Sequence, residues 1–146
     1  MVELVVKSPA NARQADAITR EIVKGRLRSS RVEMETLLER TAMSAFIREK
    51  KDYFVAIYDA AGRLVYGSNS PSGSAVMECI LERYAVKDML HGDIYIYNDP
   101  YVSRGGVTHT PDMVFAAPVF ADDGPLVGFS VCWAHHTDIG GLAAGT

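Results

Sequence analysis

Hydrophobic positions follow helical spacing in the first third of the chain and mostly strand-like alternation afterwards. Ala15, Ile18, Ile22 and Val23 recur at helical intervals and predict a first helix over 10–28. Ser30-Arg31-Val32-Glu33 has the form of a capping box, a hydroxyl and a carboxylate three residues apart satisfying each other's amides, and predicts the start of a second helix. Beyond it Met34, Leu37, Leu38, Thr41, Ala42, Ala45 and Phe46 make an apolar stripe opposite Glu33, Glu35, Glu39, Arg40 and Arg48. That stripe predicts a core face, with Met34 and Met43 as filler. Tyr53 to Tyr58 and Arg63 to Tyr66, joined by Asp59-Ala60-Ala61-Gly62, predict a β-hairpin. Val76, Met77, Ile80, Leu81, Tyr84 and Ala85 predict a third helix ending near His91-Gly92, where His91 would complement the helix dipole. Strands are predicted at 93–98, 113–121 and 126–134, the last two joined by Asp122-Asp123-Gly124, with Pro118 and Pro125 at an edge or a bulge. The expected class is α+β, N-terminal helices packed on an antiparallel β-meander, in one domain over 1–146.

Composition narrows the function more than the fold. A net charge of -3 gives no footprint for a polyanion, so nucleic acid is not an expected partner. No run approaches the roughly 18 apolar residues of a membrane span, and Leu4-Val5-Val6 is too short for a signal-peptide core, so a cytoplasmic location is expected. Cys79 and Cys132 lie in apolar helix and strand patterns and read as reduced, buried thiols.

The chemistry concentrates between 98 and 141. Asp99 to Asp112 is a long loop holding Pro100, Gly105, Gly106 and Pro111, and long loops in compact domains are commonly functional. The Gly105 and Gly106 amides could face an anion, with Arg104 adding a fixed charge for a carboxylate or phosphate. His109 and Asp112 close this loop where one predicted strand starts; His135, His136 and Asp138 follow the end of the next. A hairpin puts the start of one strand beside the end of its neighbour, so the two motifs should meet. Two imidazoles with one or two carboxylates suit a divalent Mn, Zn or Fe ion; a turn-rich corner in which His and Asp merely bond backbone is the plainer reading. Because consecutive strand residues face opposite ways, one of His135 and His136 would be the ligand and the other its support.

Asn98-Asp99-Pro100-Tyr101, Gly105-Gly106-x-Thr108-His109-x-Pro111-Asp112 and His135-His136-x-Asp138-x-Gly140-Gly141 together resemble the N-terminal part of the hydantoinase B family, which includes large subunits of acetone carboxylase, oxoprolinases and hydantoinases. Arg40 to Ser44, Ile47 to Tyr53 and Asp59 to Val65 extend the likeness over nearly the whole chain. Within that family it is most similar to small subunits of carboxylases acting on acetophenone. The resemblance implies a subunit of a carbon–carbon bond-forming ligase, inactive alone, that carboxylates an aromatic ketone with bicarbonate, uses ATP and needs no biotin. It further implies a metal at His109, Asp112, His135 and Asp138, with His136 less firmly placed, and hydantoinase A-like and B-like partner subunits, the former binding ATP. In line with that, the chain has no phosphate-binding Gly-x-x-x-x-Gly-Lys-Ser/Thr loop of its own. Two features depart from the family pattern: Ser68 to Gly73 replaces a His-containing loop, and Arg104 lengthens the glycine loop. The alternatives are an ATP-dependent hydantoinase or oxoprolinase that opens a cyclic amide, and a PAS-like or cache-like module that binds ligands without chemistry.

Overall fold

The computed structural model describes residues 15–68, 75–122, 124–138 and 140–143. The expected helix start at 10–14, most of the 68–75 loop, Asp123 and Ile139 lie outside the described residues. Helix α1 runs Ala17–Thr41, α2 is the short Ala45–Arg48 and α3 is Glu78–Arg83. The strands are β1 Tyr53–Asp59, β2 Leu64–Gly67, β3 Tyr95–Tyr97, β4 Asp112–Phe120 and β5 Leu126–His135.

The two predicted N-terminal helices are one. Asp16 caps α1, accepting from the Thr19 amide at 2.8 Å and the Thr19 hydroxyl at 3.0 Å. The Ser30–Glu33 box is overridden because nothing nearby breaks the backbone ladder: there is no proline, and Gly25 costs only about 1 kcal/mol. Arg31 pairs with Glu35 one turn on, which further supports the continuous helix. The chain leaves the helix at Ala42, whose ψ of 137° is extended, so the predicted stripe is cut before Ala45 and Phe46. The stripe is not a core face either. No residue of α1 is buried, Leu37 is 65% exposed, and Met43, expected as filler, is 88% exposed. The helix lies across β1 and β2 and only half-covers one side, that of Leu27, Arg31, Met34 and Leu38.

The sheet order is β2-β1-β5-β4-β3, with every neighbouring pair antiparallel. The predicted hairpin forms as β1 and β2, and the meander as β3, β4 and β5. Pairing of β1 with β5, from Tyr53 opposite Ala134 to Asp59 opposite Gly128, joins the two halves. Gly128 has its place because a Cβ there would lie 2.2 Å from the Tyr58 carbonyl oxygen. Pro118 stands beyond the three β4 residues that β3 pairs, and one step before the irregularity at Val119/Phe120, which fits the expected edge or bulge.

Phe54, Ala56, Tyr58, Val114, Ala116, Phe129, Val131 and Trp133 form the buried face of the sheet. Val76, Met77, Ile80 and Met89 cover it from the α3 region, and Val107 from the long loop. At about 25 cal/mol per Å² of apolar surface, a fully buried Phe129 contributes about 2–3 kcal/mol, so this face holds the domain together. Cys79 and Cys132 are free thiols, Cys79 buried and Cys132 half-buried. Burial pushes both above the ordinary thiol range. The third helix is shorter than predicted. A 3₁₀ turn at Val86–Asp88 separates it from His91, which sits against Phe120, ring centroids 6.5 Å apart, instead of capping a helix.

Candidate metal and substrate site

Strand register makes the site. Asp112, first residue of β4, lies opposite His135, last residue of β5. This is the expected meeting of the two motifs. The long loop delivers His109 to the same corner in an ordered way. Asp99 Oδ1 accepts from the Tyr101 and Val102 amides at 2.8 and 3.1 Å, forming a side-chain turn. The buried Ser103 hydroxyl donates to the Pro100 carbonyl at 3.1 Å and accepts from the Val107 amide at 3.1 Å. With Val107 anchored in the core, the following residues are held at the sheet's end. Asn98 Nδ2 donates to the Thr110 carbonyl at 2.8 Å and closes the loop.

The His109 and His135 rings meet edge to face with centroids 5.2 Å apart. His109 Nε2 is 3.3 Å from Asp112 Oδ1. Asp112 is only 5% exposed, and its Oδ1 is buried without a hydrogen bond of good geometry. Burial raises its pKa above the ordinary value, with Asp52 adding to the shift; His109 and His135 oppose it. His135 Nδ1 is 2.8 Å from the His136 carbonyl and His136 Nδ1 is 2.6 Å from the Thr137 carbonyl. A carbonyl oxygen can only accept, so both rings carry hydrogen on Nδ1, leaving Nε2 as the second position for a proton or a ligand. This is also how a metal-binding imidazole is commonly oriented.

The remaining candidates are not gathered there. Asp138 is exposed and its Oδ1 accepts from the Gly140 amide at 2.9 Å. The His136 ring is 6.5 Å from that of His135. Among the described residues, no three His, Cys, Asp or Glu side chains stand ready-arranged around a metal position. The donor chemistry of His109, Asp112 and His135 fits a divalent cation, and the unpaired Asp112 oxygen gives it a place, but the set forms only one side of such a site. The glycine loop is arranged differently from the expected anion cradle. The Gly106 amide donates to Ser103 at 2.9 Å and the Gly105 amide to Pro100 at 3.4 Å, while Arg104 makes a two-pronged pair with Glu82 at 2.9 and 3.0 Å.

Three supporting residues escaped motif reading. The Ser44 hydroxyl donates to the His135 carbonyl at 3.1 Å, Phe46 packs 4.5 Å from the His135 ring, and the Asp52 carbonyl accepts from the His135 amide at 3.1 Å. Ser44 and Asp52 lie in segments that carry the family likeness, but nothing in the sequence gave them or Phe46 a role; their position just ahead of β1 becomes informative once β1 is known to pair with β5.

Comparison with known proteins agrees with this architecture. A putative D-/L-hydantoinase subunit from Pseudomonas sp. (strain NS671) is 34% identical over 96% of this chain, which covers 24% of that protein. The crystal structure of the ATP-dependent caprolactamase from Pseudomonas jessenii superposes with a TM-score of 0.77 at 30% identity, covering 90% of this chain and 23% of that one. A nucleotide-free acetone carboxylase structure shares the fold, with a TM-score of 0.74 at 22% identity over 87% of this chain and 17% of its own. The chain thus spans about a quarter or less of the length of these relatives. The family model for hydantoinase B/oxoprolinase matches residues 16–146, nearly the whole sequence, and the chain belongs to that family.

Proposed function

We propose that this chain supplies part of the carbonyl-binding site of an ATP-dependent carboxylase that joins bicarbonate carbon to an aromatic ketone, acetophenone, giving a β-keto acid. Hydantoinase A-like subunits would bind ATP, and hydantoinase B-like chains would complete the site; no biotin takes part. The observation that supports this reading is the buried Asp112 Oδ1, without a well-formed hydrogen bond and 3.3 Å from His109 Nε2, beside two imidazoles at the β4–β5 end. Carboxylation at the carbon beside a ketone requires loss of a proton there and a build-up of negative charge on the ketone oxygen. His135, with His109 flanking it, can meet that oxygen through Nε2, the ring atom left open by the Nδ1 contact to the His136 carbonyl, when no ion occupies that position. The Asp112 carboxylate, 3.3 Å from His109 Nε2, fixes that ring. Burial of Asp112 strengthens its contact with His109 from the carboxylate side, while the His109 ring stays open to solvent or to a partner chain. A divalent Mn, Zn or Fe ion, held by His109, Asp112 and His135 with Asp138 or His136 drawn in, would polarise the same carbonyl. In the proposed assembly Arg104, Gly105 and Gly106 would meet an anionic group only once Glu82 releases Arg104.

A second reading is favoured by the identities of 34% and 30% to a hydantoinase and a caprolactamase, against 22% to acetone carboxylase. In it the substrate is a cyclic amide opened at the expense of ATP, and the same imidazoles serve the amide oxygen. Membership of the hydantoinase B family takes the place of the sensor-module alternative.

The test is ATP turnover by the complex isolated with its native partners. Turnover that depends on acetophenone and bicarbonate is expected; turnover only with hydantoin, 5-oxoproline or caprolactam rejects the carboxylase. Metal content is measured on the same complex carrying His109→Ala or His135→Ala. A fall in both is expected, and unchanged content in both rejects the metal site.

A further inference from the structure

Helix α1 is 25 residues long and buries none of them. A helix in a folded protein draws most of its stability from packing an amphipathic face, and the sheet half-covers only one side of this one. On the opposite side, Ile18, Ile22, Gly25, Ser29, Val32 and Thr36 follow one another at steps of four and three residues, the spacing of a coiled-coil seam. All six are exposed or only half-covered, Ile18 at 74% and Ile22 at 59%.

Charge says what kind of helix covers the seam. The chain is net negative, yet along the seam, residues 18–36, five basic side chains stand against three acidic; Lys24 is tied to Glu21 at 3.8 Å and Arg31, on the sheet side, to Glu35. Arg26 and Arg28 flank the middle of the seam on its two sides, and among the described residues neither joins an ion pair. A second copy of the chain fits badly. An antiparallel pair about the seam's centre would set Arg26 and Arg28 of one copy against the same residues of the other, where like charges repel. An anionic membrane fits badly too, because the seam has no Trp, Phe or Leu and its middle is Gly25 and Ser29, leaving little apolar surface to insert.

We propose that α1 is a docking helix for a partner protein, receiving an amphipathic helix with apolar residues at heptad spacing and Asp or Glu set against Arg26 and Arg28. Such docking does not depend on which substrate the complex uses.

The experiment replaces Ile22 with a photoreactive benzoylphenylalanine in the complex made with its native partners, and sequences the crosslinked peptides. The expected adduct is a partner segment with apolar residues at heptad spacing and at least two acidic residues within a turn or two of the crosslink. Arg26→Glu with Arg28→Glu should cut adduct yield at least about tenfold, and Arg26→Lys with Arg28→Lys should largely retain it. Both arginines are exposed, so the variants should fold, which circular dichroism checks. The proposal is overturned by an adduct to lipid or to a second copy of this chain, by no adduct, or by a yield indifferent to charge reversal.

Discussion

Replacing Asp112 with asparagine should stabilise the metal-free chain while abolishing the ion binding proposed for it. The carboxylate is buried, its Oδ1 accepts no hydrogen bond, and Asp52 adds a like charge nearby. A buried polar atom left unsatisfied costs about 1–3 kcal/mol. Asparagine keeps the shape and removes the charge, and its Nδ2 can donate across the 3.3 Å gap to a neutral His109 Nε2. The amide still carries polar atoms, so only part of the cost is recovered, about 1 kcal/mol. For a chain of this length that is a rise in Tm of about 2–4 °C. Thermal unfolding of full-length wild type and variant with a chelator present measures it. Repeating the scan with Mn or Zn in excess supplies the second half, because an ion at about a hundred times its Kd raises stability by about 2.7 kcal/mol. The wild type should gain and the variant should not. If Asp112→Asn instead loses more than about 1 kcal/mol without metal, the native carboxylate is well satisfied, and the argument that it waits for a cation fails.

Gly128→Ala should unfold the chain or cost at least about 3 kcal/mol, since its Cβ would press to 2.2 Å from the Tyr58 carbonyl oxygen in the β1–β5 ladder; denaturant unfolding reads this out, and a loss below about 1 kcal/mol would mean the strands separate easily. Ser103→Ala leaves the buried Val107 amide without its acceptor, costing about 1–3 kcal/mol, and hydrogen exchange should quicken across 99–110 before it does in the sheet. Acid should weaken the domain partly through Asp59. Burial pushes its pKa up, but hydrogen bonds from the Arg63 and Ala61 amides and the Arg63 guanidinium outweigh that and hold it below the ordinary 3.8. The stabilisation is therefore complete above the ordinary aspartate value and lost as pH falls through the lowered one. Asp59→Asn should accordingly be the less stable protein at neutral pH, with the gap closing below about pH 4; a constant gap across the titration would show that charge plays no part.

Local pattern carried a large share of the reading. Local pattern placed β1, β2, β4 and β5 to within a residue or two, and the ladder geometry of an antiparallel hairpin was enough to foresee the two motifs as neighbours, which the register realises as Asp112 opposite His135. Such features depend on near neighbours in the chain, and there the residues themselves settle the outcome. Other features depend on contacts that no local window contains. Ser30-Arg31-Val32-Glu33 spells a helix start, yet the helical ladder runs through it because the residues before it already form helix. The stripe from Met34 to Phe46 has the period of a core face, but periodicity says nothing of how much sheet lies beneath, and Leu37 stays in water. Ser44, Phe46 and Asp52 reach His135 only because β1 inserts beside β5, some eighty residues away in sequence. Arg104 turned away from an anion site because the Glu82 carboxylate, 22 residues away in sequence, was available in three dimensions; the glycine amides were taken by the nearby Ser103 and Pro100 carbonyls. By itself the sequence determined the fold class, four of the strands to within a residue or two, and that the two His/Asp motifs would adjoin, though not that Asp138 would turn to the Gly140 amide instead. The tertiary structure alone decided that Asp112 is buried with an oxygen lacking a well-formed hydrogen bond, because burial and hydrogen-bond partners are properties of everything packed around a residue.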